Sequence, residues 1–274
     1  MMGNGGYWGP IATRLAGRVD LSAFDMPGHG QSPDWRPALP PGDYHTDVTR
    51  IAADFIGGSV DLIGHSMGAT VALRLALAAP HQVRSLTLIE PVLFAAAGQS
   101  DGMEGRLAKL LDQGETREAA RLFLSVWGTQ PFEAMSRPMQ SQVTGQIRLL
   151  VNSNATLNHD KAHMLRDGGL ESITAPVMVI MGNESPPVIH AIGDALARRL
   201  PQLVRACVPG AGHMLPITHP REVAALIAEN LDRATNGDAD RADALPPAPA
   251  DPGAAPAASV DAAVGPGTVR RPRR

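Results

Sequence analysis

The amino-acid sequence predicts an α/β protein with a mostly parallel central sheet, helices on both faces of the sheet and an inserted helical cap. Three observations support this prediction. Short apolar runs alternate with helical patterns in the first part of the chain, and the same alternation resumes after residue 174. The stretch between them, residues 92–173, carries helical patterns without convincing strands. At 274 residues, the chain is long enough to bury one substantial core.

The first part of the chain predicts strands that are joined by helices. A helix at residues 11–15 is followed by a strand at residues 19–24, which ends in the turn sequence DMPGHG. The next predicted elements are a helix at residues 43–56, a strand at 59–63, a helix at 69–79 and a strand at 83–89. Strands linked by helices are typical of a parallel sheet, because parallel neighbours need a long crossover connection.

The second part of the chain predicts an insertion and then the end of the sheet. Helical patterns in the insertion cover residues 106–111, 116–127 and 141–152. We interpret residues 92–173 as a cap over an active site; additional helices packed on the sheet are the alternative. The following elements are a strand at residues 175–181, a helix at 187–200, a strand at 203–208 and a helix at 220–233. The core domain is therefore predicted to comprise residues 1–91 and 174–235.

The last part of the chain has a different composition. Residues 236–274 are rich in Ala, Pro, Gly and Asp and have little bulky apolar surface to offset the entropy of ordering. We therefore predict a disordered tail.

Composition and charge exclude several classes of partner. The formal net charge is -3 and the pI is about 6.3, so no long-range field attracts nucleic acid or anionic membranes. Cys207 is the only cysteine, which excludes intrachain disulfides and metal sites built from several thiolates. The N-terminus has no pattern of a secretory signal, and the longest apolar stretch, residues 69–79, is interrupted by Arg74. We expect a cytoplasmic protein without nucleic-acid or membrane partners.

A candidate nucleophile lies in the sequence GHSMG, residues 64–68, directly between a predicted strand and a predicted helix. The pattern G-x-S-x-G in this setting is typical of a strained turn that exposes a serine at the edge of the sheet. We expect Gly64 and Gly68 to be required because a Cβ at either position would clash with the adjacent strand or helix. Ser66 would project at the start of the helix, where backbone N–H groups can stabilise an oxyanion. A Gly/Ser turn without a chemical role is the alternative.

A candidate general base follows the last predicted strand, in the sequence GAGHMLP, residues 210–216. A serine hydroxyl is a weak nucleophile until a base with a pKa near neutrality takes its proton, and histidine suits this task. His213 is therefore the candidate among the nine histidines.

These segments, in this order, resemble the landmarks of the α/β-hydrolase superfamily. They are FDMPGHGQS at residues 24–32, GHSMG at 64–68 and GAGH at 210–213, and the resemblance covers roughly residues 7 to 233. It implies that Ser66 and His213 are catalytic and that the Met67 backbone N–H is one oxyanion donor. It also implies that the Pro-Gly-His-Gly turn is structural. His29 and His65 are therefore not assigned to the chemistry.

The acid of the implied catalytic triad has two candidates. The family most often places an aspartate shortly after the strand predicted at residues 175–181, but Ser185 stands at that position and the nearby acid is Glu184. Some members instead carry the acid after the strand that follows the nucleophile helix, where this chain has Glu90 before Pro91. We favour Glu90, which would accept the second ring N–H of His213. Glu184 is the competitor, and capping of a turn is the structural alternative for Glu90.

The beginning of the chain departs from the family pattern. Members normally start with a hairpin and a further strand that ends in a His-Gly turn, whose backbone supplies the second oxyanion donor. This sequence starts roughly at that turn, so we expect the usual N-terminal strands to be absent. The second donor would then come from Gly3 or Asn4 on a loose terminus.

The implied function is that of a serine hydrolase which cleaves a small, hydrophobic ester or related acyl substrate through an acyl-enzyme. The reaction needs no metal or organic cofactor. Large apolar side chains of the cap suggest an adaptable apolar pocket, or equally the packing side of its helices; they are Met103, Phe123, Trp127, Phe132, Met135, Met139 and Met164. A catalytically impaired scaffold that binds a small ligand or a partner protein is the alternative from a different functional class.

Overall fold

The structure, a computed structural model, describes residues 4–37, 43–98 and 102–243. Within these residues, four parallel strands form one sheet in the order β1-β2-β3-β4. The strands are β1 (Val60–His65), β2 (Val83–Ile89), β3 (Val177–Gly182) and β4 (Leu203–Val208). The predicted α/β class with a parallel sheet is confirmed.

Helices precede, connect and follow the strands. Those of the core are α1 (Gly9–Leu15), α2 (Tyr44–Ala53), α3 (Met67–Ala78), α8 (Pro187–Ala197), α9 (Leu215–Thr218) and α10 (Pro220–Asp243). Those between β2 and β3 are α4 (Glu104–Asp112), α5 (Thr116–Trp127), α6 (Arg137–Val151) and α7 (Asn154–Leu157). Short 3-10 helices lie at Gly5–Trp8, Pro80–Gln82, Phe94–Ala97, Phe132–Ala134 and Leu170–Ser172.

The sheet is covered by helices on both faces. Successive side chains of a strand point to opposite faces, so β3 contributes Val177 and Val179 to one core and Met178 and Ile180 to the other. Helices α3 and α8 pack on the first face, and α1 and α10 pack on the second. Every residue of β3 is buried, which explains why its sequence is continuously apolar.

The predicted strand at residues 19–24 is wrong, because these residues have no regular secondary structure. A strand is defined by backbone pairing with a neighbour, and among the described residues β1 pairs with β2 alone. A cavity of about 630 Å³ lies between residues 19–24 and β1. Residues 19–24 have an alternating apolar pattern, but among the described residues they have no partner strand.

The remaining elements lie within a few residues of their predicted positions, except at the C-terminus. Helix α10 extends ten residues beyond the predicted end at Arg233, to Asp243. No proline interrupts the chain between Pro220 and Pro246, so the first residues assigned to the disordered tail continue the helix. Residues 244–274 of the predicted tail lie outside the described residues. Within the described ranges, no helix is long and apolar enough to cross a membrane.

Candidate active site

The carboxyl ends of the four parallel strands meet at one edge of the sheet, and the predicted site residues lie there. Ser66 follows β1, Glu90 follows β2 and His213 lies in the turn after β4. Backbone hydrogen bonds continue the sheet past the strand ends, since Ser66 N–H donates to the Ile89 carbonyl at 2.9 Å and Glu90 N–H donates to the Ile180 carbonyl at 2.9 Å. The sheet itself therefore sets the spacing of these residues.

The backbone between β1 and α3 is strained at Ser66, which has a φ of 57° directly before the first residue of α3. A Cβ on Gly64 would lie 2.2 Å from the Gly68 carbonyl oxygen, so only glycine fits at that position. A Cβ on Gly68 would meet nothing closer than Met26 Cε at 3.8 Å. The expectation that both glycines are sterically required is therefore correct for Gly64 and wrong for Gly68, where a Cβ has room.

His213 lies between the other two residues. Its Nε2 is 3.0 Å from Ser66 Oγ, and its Nδ1 is 3.0 Å from Glu90 Oε2. An ionised carboxylate only accepts hydrogen bonds, so it selects the tautomer with the proton on Nδ1. Nε2 is then free to accept the Ser66 hydroxyl proton, which is the arrangement that general-base catalysis requires.

Glu90 is held on both of its carboxylate oxygens. Oε1 accepts from the Gly182 N–H at 2.7 Å and from the Ser185 hydroxyl at 2.8 Å, while Oε2 faces His213. The Glu90 side chain is fully buried, and Glu184 is exposed on the surface. The structure thus brings Glu90 to His213, and Ser185, which sequence reasoning treated only as a missing aspartate, anchors the carboxylate that replaces it.

Burial changes the pKa of both members of this pair. Removal from water raises the pKa of Glu90 to about 7, although the hydrogen bonds from Gly182 and Ser185 lower it. Removal from water also lowers the pKa of His213. The histidine is therefore neutral at neutral pH, as a general base must be.

The raised pKa of Glu90 predicts a pH-dependent cost in stability. The folded state binds the proton more tightly than the unfolded state, so the free energy of unfolding falls as pH rises from about 4.5 to about 7. Glu90→Gln removes this titration, and we expect the variant to gain up to about 3 kcal/mol relative to wild type between pH 5 and pH 8. Urea unfolding at both pH values measures the difference; a constant difference would contradict the raised pKa.

A residue of the predicted cap packs directly on His213. The Trp127 ring, at the end of α5, lies 4.7 Å from the His213 ring in an edge-on arrangement, and Phe94 lies 6.1 Å from Trp127. Ser66, on the other side of the His213 hydrogen bond, is only 8% exposed. Of the other apolar side chains expected to line a pocket, Phe132 packs in a separate cluster within the insertion and Met139 is exposed. For Phe132, the packing alternative is the one that the structure favours.

The predicted oxyanion donors and His29 lie in different parts of the structure. Met67 begins α3, and the first N–H groups of a helix have no acceptor within it. Asn4 precedes the 3-10 helix Gly5–Trp8, and Gly3 lies outside the described residues. His29 belongs to a structural turn in which Nδ1 lies 3.1 Å from the Pro27 carbonyl oxygen. Within the described ranges, no group of three or more His, Cys, Asp or Glu side chains is placed to hold a metal ion.

Comparison with known proteins places this geometry in a family. The sequence profile of the alpha/beta hydrolase family matches residues 2–226. The chain belongs to the alpha/beta hydrolase family. The resemblance inferred from the three sequence landmarks is thereby confirmed, and the chain is a hydrolase of the esterase type.

Two relatives and one solved structure illustrate the similarity. A pimeloyl-[acyl-carrier protein] methyl ester esterase of Methylococcus capsulatus is 31% identical over 241 residues, which cover 82% of this hydrolase and 89% of that protein. A 2-(acetamidomethylene)succinate hydrolase of Mesorhizobium japonicum is 27% identical over 239 residues and covers 84% of each chain. The structure of a thermophilic esterase superimposes with a TM-score of 0.61 at 20% identity over 85% of this chain and 86% of that one, which shows the shared fold.

Proposed function

We propose that this hydrolase cleaves a small, apolar ester through a covalent acyl-enzyme, with Ser66 as nucleophile, His213 as general base and Glu90 as the acid of the triad. The observation that carries the proposal is the continuous hydrogen-bonded row from Ser66 Oγ through both ring nitrogens of His213 to the buried Glu90 carboxylate. The strained backbone at Ser66 supports it, because such strain is typical of functional sites.

The reaction proceeds in two steps that each return the site to its starting charge. Ser66 Oγ attacks the ester carbonyl while His213 Nε2 takes the hydroxyl proton, and the Met67 N–H stabilises the tetrahedral oxyanion. Collapse of this intermediate breaks the ester C–O bond, and His213 gives its proton to the leaving alcohol. Water then attacks the acyl-serine ester, again losing a proton to His213, and Ser66 is regenerated as the acid product leaves.

The cover over the site supports a small acyl group. Trp127 presents its ring beside His213, Phe94 packs on Trp127, and Ser66 is almost completely buried. Residues 92–173 therefore act as a cap that substrate must displace or pass. The names of two relatives refer to an acyl-carrier-protein-bound methyl ester and to a substituted succinate, so both belong in the panel of substrates tested. In this proposal, the hydrolase acts on small-molecule substrates in the cytoplasm.

Labelling with a fluorophosphonate probe tests the proposed nucleophile. We expect the wild-type protein to label stoichiometrically, Ser66→Ala to lose labelling completely, and His213→Ala to label at least about a hundredfold more slowly. Ser85→Ala is the matched control, since Ser85 is equally buried on β2 but bonds to Asp61, away from the site. A folded wild-type protein that does not label would overturn the proposal that Ser66 is an activated nucleophile.

A series of p-nitrophenyl esters tests the proposed substrate class. We expect kcat/KM to be highest for short acyl chains and to fall for long chains, because Ser66 is only 8% exposed. The methyl ester on acyl carrier protein forms a separate arm of this experiment. Faster turnover of long acyl chains than of short ones would contradict a small substrate.

A further inference from the structure

His65 is a buried titratable residue that the proposed mechanism does not use. It precedes the nucleophile in the strained turn, and only 8% of it is exposed. Its ring lies 5.0 Å from the His213 ring and stacks 5.7 Å from the Tyr7 ring. His65 therefore lies between the N-terminal 3-10 helix and the base.

Two hydrogen bonds determine which nitrogen of the His65 ring carries the proton. Nε2 lies 2.8 Å from the main-chain carbonyl oxygen of His213, and Nδ1 lies 3.0 Å from the Tyr7 hydroxyl. A carbonyl oxygen only accepts, so the His65 proton resides on Nε2. Nδ1 of the neutral ring is then an acceptor, and the Tyr7 hydroxyl donates to it. The chain of donors runs from Tyr7 through His65 to the backbone of His213.

Burial keeps the His65 ring neutral and the Tyr7 hydroxyl protonated, as the two hydrogen bonds require. Burial lowers the pKa of His65 well below its ordinary value, and the neighbouring His213 lowers it further. Burial raises the pKa of Tyr7, so its hydroxyl keeps the proton that it donates. A neutral His65 also adds no positive charge beside His213 when the latter is protonated during the reaction.

We propose that Tyr7 and His65 are positioning residues, which hold the main chain of His213 and so keep its Nε2 within hydrogen-bonding distance of Ser66 Oγ. The inference rests on the proposed role of His213 as base. Glu90 fixes the ring of His213 at Nδ1, and His65 fixes the peptide that carries the ring. His213 lies in a turn rather than in a strand, and the hydrogen bond from His65 attaches its peptide to the end of β1.

Three variants test the proposal by kinetics. We expect His65→Leu, which removes the donor, to lower kcat about tenfold or more with less than a threefold change in KM, since misplaced catalytic groups lose rate rather than substrate binding. His65→Gln is expected to recover most of kcat, because the glutamine amide can donate to the His213 carbonyl and accept from Tyr7. Tyr7→Phe should lower kcat about threefold.

Tyr44→Phe is the matched control for Tyr7. Tyr44 is a fully buried tyrosine that donates to the Pro27 carbonyl at 2.7 Å, outside the site. We expect it to keep wild-type kcat even if its unfolding free energy falls. An active wild type whose His65→Leu variant keeps full kcat, or whose His65→Gln variant is as slow as His65→Leu, would refute the positioning role and leave the proposed function intact.

Nitrogen NMR of protein labelled with ¹⁵N-histidine tests the hydrogen-bond chain without catalysis. We expect the signals that disappear in His65→Gln to show a neutral ring with the proton on Nε2, and the Nδ1 signal to shift in Tyr7→Phe. A proton on Nδ1, or a charged ring at neutral pH, would overturn the proposal. If the wild type neither labels nor hydrolyses esters, the same spectra still decide whether the chain from Tyr7 to His213 exists, while the proposed function fails separately.

Discussion

Glu90→Gln is expected to lower kcat by about 10³- to 10⁴-fold while the protein stays folded. Glutamine has nearly the same shape, and its carbonyl oxygen can still accept from Gly182 and Ser185 at the Oε1 position. Its amide nitrogen, however, then faces His213 Nδ1 and can only donate. The His213 proton must move to Nε2, which can no longer accept the proton of Ser66.

Glu184→Gln provides the control for this prediction. Glu184 is the acid that the sequence could not separate from Glu90, and it is exposed. We expect this variant to retain kcat within about twofold, as is usual for an exposed surface substitution. The kcat of both variants is measured with the same ester, and the concentration of active sites is determined by probe labelling. Retention of kcat in Glu90→Gln, together with its loss in Glu184→Gln, would show that the triad uses the other acid.

Gly64→Ala is expected to destabilise the protein by at least about 3 kcal/mol and to abolish probe labelling. The added methyl group would lie 2.2 Å from the Gly68 carbonyl oxygen and 2.4 Å from its carbon, both of which are backbone atoms at the start of α3. Relief of this clash requires the helix to move away from β1. Because Ser66 lies between these two elements, the same movement takes the nucleophile away from His213.

Gly68→Ala is the matched comparison within the same sequence motif. Its Cβ would meet only the flexible end of Met26, at 3.8 Å, and alanine favours a helix over glycine. We expect its unfolding free energy to rise or to stay within about 1 kcal/mol of wild type. Thermal and urea unfolding of both variants measure the contrast. Equal destabilisation by the two substitutions would contradict the close contact between Gly64 and the start of α3.

The strands and helices could be predicted where the spacing of apolar residues matches the side of the element that is buried. The strands at residues 83–89 and 203–208 and the helix at 116–127 begin and end as predicted. Residues 19–24 have an equally good strand pattern but form no strand, because pairing depends on a neighbour that the pattern does not contain. Helix α10 continues past residue 233 to Asp243 although the composition changes there, and no proline in this segment interrupts it.

In the candidate site, too, some residues could be predicted from the sequence and others depend on tertiary contacts. Ser66 and His213 could be found from the sequence because each lies in a short motif beside a strand or a helix. The sequence indicated Glu90 and Glu184 as candidate acids, but the distance from each of them to His213 depends on the fold. The support from Ser185, Tyr7 and His65 could not be predicted, since each contact joins segments that are distant in the chain.

The sequence by itself therefore determined the family, the parallel α/β architecture, and the candidates for nucleophile and base. The architecture follows from periodicity, and the family and the two candidates follow from short motifs that resemble the family's landmarks. Only the tertiary structure decided that Glu90 is buried against His213, that Gly64 but not Gly68 lacks room for a side chain, and that His65 bonds the backbone of His213. These depend on distances between elements, which packing of the sheet and its helices sets and which no local pattern records.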